Sequence, residues 1–188
     1  TPYRIFKKYY EMSLIKKPGG IEAMLIASLD KDINEVDARF INLKYIIKDE
    51  WIFFTNYNSP KSNQFISHDQ ITAIFFWPSI NVQIRMKAKI RKTSLDFSDK
   101  HYLARSAEKN ALAISSMQSE SIKSYDEVVQ NYNDTLHNKN LIERPSYWGG
   151  YSFAPYYFEF WEGHNSRLNK RDIYKMKGGQ WKNYILQP

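Results

Sequence analysis

The sequence predicts an α+β fold built on an antiparallel β-barrel, and three features carry that prediction. Short apolar runs rich in β-branched and aromatic residues recur through the first half, separated by polar clusters such as Asp30-Lys31-Asp32 and Asn56–Ser59. The middle of the chain changes to helical periodicity with few β-branched residues. Strand-like runs return after Pro145 and Gly149-Gly150. Strands, then helices, then strands again fit an α+β architecture whose meandering sheet closes into a barrel or sandwich.

Each element can be placed in turn. Tyr3–Lys17 sets Ile5, Tyr9, Met12 and Leu14 near helical spacing and stops at Pro18-Gly19-Gly20. Strands are expected over Ala23–Ser28, Arg39–Ile46, Trp51–Thr55, Ile71–Trp77 and Val82–Ile90. Helices are expected over Ser98–Arg105, Ala107–Met117 and Tyr125–His137. A strand over Tyr151–Trp161 follows, then a shorter pair, Arg171–Lys175 and Trp181–Leu186, turned by Gly178-Gly179. No repeat, low-complexity tract or linker divides the chain, so residues 1–188 are expected to form one domain.

Composition narrows the chemistry. With 43% hydrophobic and 16% aromatic residues, the chain can bury a core. Cysteine is absent, which excludes disulfides, thiolate catalysis, iron–sulfur clusters and cysteine-based zinc sites. No apolar run approaches the ~20 residues of a membrane span and no signal-peptide pattern opens the sequence, so the expected setting is the cytoplasm, without a membrane partner. The excess of 27 basic over 20 acidic residues points to an anionic partner without naming it.

Four constellations bear on that partner. Val82–Arg91 alternates apolar Val82, Ile84, Met86, Ala88 and Ile90 with polar Gln83, Arg85, Lys87, Lys89 and Arg91. A strand sends alternate residues to opposite faces, so one face enters the core and the other is a cationic ladder, either a solvated exterior or a surface for phosphate or nucleic acid. Arg39 and Lys44, five residues apart, point to opposite faces of a regular strand, which fits two cations serving two different phosphates. Thr55–Lys61 is a polar turn entering a helix, with Ser59 as N-cap and Pro60 at the first helical position. Free N–H groups there favour an anion, and Lys61 adds a charge. His101, Arg105 and Lys109 recur every four residues and form one stripe if the helix is unbroken, although Ser106 with Glu108 offers a restart.

No Ser/His/Asp arrangement, HExxH, GxGxxG or Walker loop is present, and His68, His101, His137 and His164 lack metal-ligand spacing. An enzyme of this composition therefore relies on a bound cofactor, with no metal expected.

The order of these pieces resembles the pyridoxamine 5′-phosphate oxidase family, flavin mononucleotide (FMN) enzymes of the split-barrel fold, over about Ala23 to Pro188. The matching pieces are Arg39–Lys44, Phe53–Lys61, Gln83–Arg85, Gln118-Ser119 and Arg144-Pro145. Trp148-Gly149-Gly150-Tyr151, Glu159-Phe160-Trp161, Arg167-Leu168 with Arg171, and Trp181 with Leu186-Gln187-Pro188 complete the set. The resemblance implies an α+β split barrel with peripheral helices and a homodimer with FMN at its interface. Arg39, Lys44, Phe54, Thr55, Ser59, Lys61 and Gln83 of one subunit would contact FMN, with Gln118, Ser119, Trp161 and Arg171 from the other. It further implies hydride transfer from a substrate amine or alcohol carbon to flavin with O2 as acceptor. Lys44, His101, Arg105 and Lys109 would hold the substrate phosphate, and Arg167 and Asn169 would stand at the reacting carbon.

Several positions depart from the family pattern. His101 stands for a tyrosine, Lys109 for a serine, Asn169 for a histidine and Pro60 for an arginine, and the basic N-terminal segment has no clear counterpart. These edits leave FMN binding with one weakened contact and predict slower or redirected oxidation. The expected function is an oxidase of pyridoxamine or pyridoxine phosphate. The alternatives are a phenazine-biosynthesis-type FMN oxidase on another aromatic substrate, or a non-catalytic flavin- or pyridoxal-phosphate-binding module. No nucleic-acid partner is expected.

Overall fold

Helix α1 (Pro2–Lys16) carries proline in its first turn, where a missing N–H leaves no bond unmade, and turns Phe6, Tyr9 and Ser13 inward. The computed structural model describes residues 1–17 and 19–188; Pro18, part of the expected helix stop, lies outside the described residues. The strands of the first half are β1 (Ala23–Asp30), β2 (Glu35–Asn42), β3 (Tyr45–Ile47) and β4 (Glu50–Asn56). After α2 (Pro60–Ser67) come β5 (Gln70–Trp77), a 3-10 turn at Pro78–Ile80, and β6 (Val82–Lys92). Three helices follow, α3 (Leu95–Leu103), α4 (Ala107–Ser115) and α5 (Tyr125–Asn138), and then β7 (Trp148–Glu162), β8 (Lys170–Lys177) and β9 (Gln180–Leu186).

All strand pairs are antiparallel, in the order β2-β1-β5-β6-β7-β4-β3, with β8 on β7 and β9 on β8. The expected strand Arg39–Ile46 is in fact two, and the break closes the barrel. Leu43 N–H bonds Glu22 O at 3.0 Å on the β1 side, while Lys44 N–H bonds Ile52 O at 2.8 Å on the β4 side. Two adjacent residues thus join the two ends of the ladder, and the sheet returns on itself without a direct β2–β3 ladder.

Strand β7 is where the sheet splits. Its first half pairs with β4 through Trp148–Phe153, and its second half pairs with β8 through Tyr157–Glu162. Between them the register with β6 slips, because Lys87 faces Tyr157 while Ala88 faces Pro155 and Tyr156 has no partner. Proline has no N–H for the ladder, so a bulge at this point lets the strand bend from one sheet edge to the other. Gly149 and Gly150 are required nearby, since a Cβ would lie 2.2 Å from Tyr57 Oη at the first and 2.6 Å from Thr93 Oγ1 at the second.

The alternation expected of β6 is observed: Val82, Ile84, Met86, Ala88 and Ile90 are buried. They join Met24, Ile26, Trp51, Phe75, Phe158 and Phe160 in one core, onto which α1 sets Phe6 and Tyr9. The opposite face of β6 is largely neutralised. Arg85 pairs with Glu159, Lys89 with Asp69 and Arg91 with Glu50, while Lys87 lies 5.6 Å from the Tyr157 ring. The ladder is a paired exterior and offers no continuous anion surface. Among the described residues no helix is long and apolar enough to cross a membrane.

Candidate functional site

The turn after β4 folds around the Asn56 carbonyl. Ser59 and Ser62 hydroxyls both donate to Asn56 O, at 2.7 and 2.8 Å, and Asn58 N–H donates to the Asn56 side chain at 2.8 Å. Ser59 does occupy the N-cap of α2 with Pro60 behind it, but its hydroxyl does not cap the helix. It is engaged instead as an acceptor for the Lys61 ammonium at 2.9 Å.

Lys61 is the centre of the site. It is 8% exposed, yet its partners are neutral oxygens: Ser59 Oγ and, at 2.7 Å, Gln118 Oε1. Burial, with the Arg39 charge adding, pulls its pKa down to about 8, against a weaker upward pull from Asp37. Arg39 reaches the same place from β2. It pairs with Ile26 on the inward face and donates to Ser28 Oγ at 2.6 Å and Gln64 Oε1 at 2.7 Å, besides its ion pair with Asp37. A buried ammonium without a carboxylate partner, beside a guanidinium and the start of a helix, has the donors and charge that a phosphate takes.

Thr55 Oγ1 also donates to Gln118 Oε1, at 3.1 Å. Gln118 is therefore gathered with Lys61 and Thr55 of its own chain, whereas the expected division set it on the other subunit. Ser119, next in sequence, has φ +75 and lines a different cavity of about 590 Å³, formed mainly by the serine-rich 115–123 segment against α5. Thr55 and Gln118 line a smaller cavity of about 270 Å³ with Phe54, Asn56, Arg105, Lys109 and Trp148. The smaller one is the functional candidate, because the cations converge there.

Its wall includes Arg105 and Lys109, two of the four residues expected to hold a substrate phosphate. The helical stripe is broken: α3 ends at Leu103, and Ser106 starts α4. Arg105, in the break, lies with its guanidinium 4.2 Å from the Trp148 ring, donates to Lys109 O at 2.6 Å, and keeps its buried Nε without a partner. His101 stacks on Phe54 at 3.7 Å between centroids, and its Nδ1 is 2.8 Å from Tyr45 Oη. Burial first, then Arg105, Lys44 and Lys109, lower the His101 pKa to about 4. Lys44, in the β2–β3 link, is thus near enough to be felt.

A second group lies on the outward face. Gln83 pairs across to Trp161, and Trp161 to Arg171, so the three form one row over β6, β7 and β8. Gln83 therefore stands with Trp161 and Arg171 of the same chain, where the expected division had set them on different subunits. One position, Glu159, was not anticipated as functional. It is 3% exposed, and accepts from Arg85 Nε at 3.1 Å, Arg171 Nε at 2.9 Å and Tyr157 Oη at 3.1 Å. A lone carboxylate in the aromatic run Tyr156–Trp161 was the available signal. Arg167 (φ +59) and Asn169 lie in the β7–β8 loop, where Asn169 Oδ1 accepts from His164 N–H at 3.0 Å. Within one chain this loop does not join the Lys61 cluster.

Comparison with known proteins bears on this arrangement. A family model described as the pyridoxine 5′-phosphate oxidase C-terminal dimerisation region matches residues 148–188. A pyridoxine/pyridoxamine 5′-phosphate oxidase of Leptospira interrogans is 30% identical over 191 residues, covering 100% of this chain and 88% of the relative. One from Trichormus variabilis is 33% identical, covering 100% and 89%. Among solved structures, PhzG from Burkholderia lata, in complex with tetrahydrophenazine-1-carboxylic acid, superposes with a TM-score of 0.92 at 23% identity, covering 100% of this chain and 92% of that one. A pyridoxamine 5′-phosphate oxidase-related, FMN-binding protein from Nostoc punctiforme gives 0.81 at 12% identity, covering 97% of each.

Proposed function

This chain belongs to the pyridoxine/pyridoxamine 5′-phosphate oxidase family, and from that membership we propose that it is an FMN-dependent oxidase of pyridoxamine or pyridoxine 5′-phosphate, or of a near relative. On this reading residues 1–188 act as one FMN-binding split-barrel domain, in a cytoplasmic homodimer, with no nucleic-acid partner. The observation that carries it is the buried Lys61 ammonium, held by neutral oxygens beside Arg39 and bonded to Gln118, which lines a cavity that Arg105 and Lys109 also line.

The residues fit the cofactor. Lys61, Arg39 and Ser59 would hold its phosphate, with Lys44 and Phe54 nearby. Thr55 and Gln118 offer a hydroxyl and a carboxamide to the ring or ribityl chain, and Ser119 stands at the edge of this set. FMN, when bound, supplies the hydride acceptor, with O2 as the final acceptor. Gln83, Trp161 and Arg171 complete the site from the partner subunit, Trp161 and Arg171 within the segment matched as a dimerisation region and Gln83 paired beside them on β6. Dimerisation would also cover the outward face on which Val36, Phe40 and Phe76 stand 74%, 72% and 54% exposed.

Lys44, Arg105 and Lys109 grip the substrate phosphate, and that remote grip holds the reacting carbon in place. Arg167 and Asn169 of the partner face that carbon. The Asn169 bond to His164 N–H favours a second substrate reading, since the residue is occupied in its own loop and brings no titratable group. An aromatic anion of the phenazine-precursor type then becomes the competitor.

The test is anaerobic addition of pyridoxamine phosphate, pyridoxine phosphate and unphosphorylated aromatic acids to the purified yellow protein. Bleaching by the B6 phosphates supports the leading reading, and bleaching only by aromatic acids supports the second. Ligand binding without bleaching identifies a non-catalytic binding module. Failure to bind FMN overturns both oxidase readings and the flavin-binding form of the third.

A further inference from the structure

We propose that a phosphate monoester entering the cationic pocket loads a proton onto His101, so that anion binding here is proton-coupled. This rests on the substrate-phosphate reading of Lys44, Arg105 and Lys109. The ring is held against an aromatic wall on one face and by a phenol at its edge. Phe54 stacks on it at 3.7 Å and 11°, Trp148 lies parallel at 6.2 Å, and Tyr45 Oη is 2.8 Å from Nδ1.

The charged groups facing it are of one sign. Lys44 comes from the β2–β3 link, and Arg105 and Lys109 from the α3–α4 junction. Strand β3 presents the Tyr45 phenol, while β4 and β7 present only the aromatic rings of Phe54 and Trp148. On α3 itself the carboxylates are engaged elsewhere, Asp96 by Lys100 and Asp99 by Arg144. The buried Arg105 Nε has no hydrogen-bond partner within the chain, so this guanidinium keeps a donor unused.

With the pocket empty, three cations and burial keep the imidazole neutral, with a pKa of about 4. A phosphate dianion cancels most of that field and can accept a hydrogen bond from the ring. An opposite charge at close range moves a pKa by about 1–3 units, which brings His101 to roughly 5–7. At pH 6 the ring would go from about 1% protonated to between roughly 10% and 90%. A group whose pKa is raised by the ligand favours binding below that raised value, so the His101 contribution to affinity grows as pH falls from about 7 toward about 4. A tyrosine at this position would provide no such linkage.

The experiment uses the FMN-loaded protein, so that the Lys61 cluster is already filled, and phenyl phosphate, an aromatic phosphate monoester with no carbon to oxidise in this way. Imidazole NMR resonances are followed against pH with and without saturating ligand, His101 being assigned by its loss in His101→Tyr. The expected midpoint near 4 rises by at least one pH unit with ligand. Isothermal titration at pH 6 in buffers of different ionisation enthalpy gives the same answer independently. The phosphate group, with a second pKa of about 6, itself releases about half a proton on binding as the dianion. His101→Tyr should show that release alone, and the wild type a more positive uptake. Binding with an unmoved His101 midpoint overturns the proton coupling, whereas absence of binding overturns the phosphate-pocket reading beneath it.

Discussion

Replacing Lys61 by methionine should stabilise the cofactor-free protein and weaken its hold on FMN, two effects of opposite sign from one atom. The ammonium is buried without a carboxylate partner, and its pKa falls from 10.5 to about 8. At 1.36 kcal/mol per pH unit, keeping it charged at pH 7 costs about 3 kcal/mol. Methionine removes that cost and also the bonds to Ser59 and Gln118, at about 1 kcal/mol each. Both partners keep other contacts, Ser59 with Asn56 O and Gln118 with Thr55. The net gain is about 1 kcal/mol, or roughly 2–4 °C in Tm for a chain of this size. A lost charged hydrogen bond to a phosphate is worth about 1.5–3 kcal/mol, so FMN affinity should fall roughly 10- to 150-fold. The sign of the pH dependence follows from the lowered pKa. The unfolded chain binds the extra proton between about 8 and 10.5, so the cofactor-free wild type gains stability as pH rises through that window and Lys61→Met lacks the gain. Calorimetry of the cofactor-free proteins and fluorescence titration with FMN measure both. A cofactor-free variant less stable than wild type by 1 kcal/mol or more, or an unchanged FMN affinity, would refute the claim that this ammonium is held ready for an anion.

Three other substitutions bear on separate parts of the molecule. Glu159→Gln leaves two guanidinium groups around a neutral amide, and breaking a buried pair should cost about 3–5 kcal/mol in thermal or denaturant unfolding. Burial alone raises the Glu159 pKa, but the Arg85 and Arg171 hydrogen bonds outweigh it, so its contribution is present above the ordinary carboxylate range and lost as pH falls through its depressed value. Acid-unfolding profiles should therefore flatten in the variant. Phe40→Asp places a charge on the exposed outward face and should give monomers by sedimentation equilibrium; unchanged dimers would exclude that face as the interface. Asn169→His should raise anaerobic flavin reduction by pyridoxine phosphate about 10-fold or more and introduce a midpoint near 6.5, and a flat rate would remove position 169 from the chemistry.

What the sequence disclosed depended on whether the signal was local. Strand β6 was legible residue by residue, because a two-residue period survives any tertiary arrangement. Helix boundaries were legible to within a turn, and Ser106 did mark the restart before α4. The split of Arg39–Ile46 was not, because nothing local distinguishes a strand from two strands joined at Leu43-Lys44 across a barrel seam. At the site, Lys61 and Ser59 were identified, yet the hydroxyl's role was misread, since capping competes with the Asn56 carbonyl three residues back. Glu159 needed the register of three strands before its two arginines could be seen on either side. The basic ladder shows the same dependence in reverse, because its neutralising acids Glu50, Asp69 and Glu159 come from three different places in the chain.

The two halves of the proposed cofactor site face opposite ways within one chain, and that alone constrains the assembly. Arg39 shares the inward face with Ile26, and Lys61, in the first turn of α2, is close enough to feel its charge. Gln83, Trp161 and Arg171 stand on the outward face, their strand neighbours Val82, Ile84 and Phe160 being the buried ones. A single FMN touching both sets must therefore be held by two copies, as a two-fold dimer allows by presenting the outward face of one at the seam of the other. Subunit complementation tests this directly. Lys61→Met and Arg171→Ala are each expected to be FMN-poor as homodimers. Unfolded together and refolded as an equal mixture, half the dimers are mixed, and each mixed dimer has one site with both wild-type residues and one with neither. Roughly a quarter of all sites should then recover wild-type FMN affinity at limiting cofactor. If Lys61 and Arg171 serve the same site from the same chain, every site in the mixture carries one defect and no tight site appears.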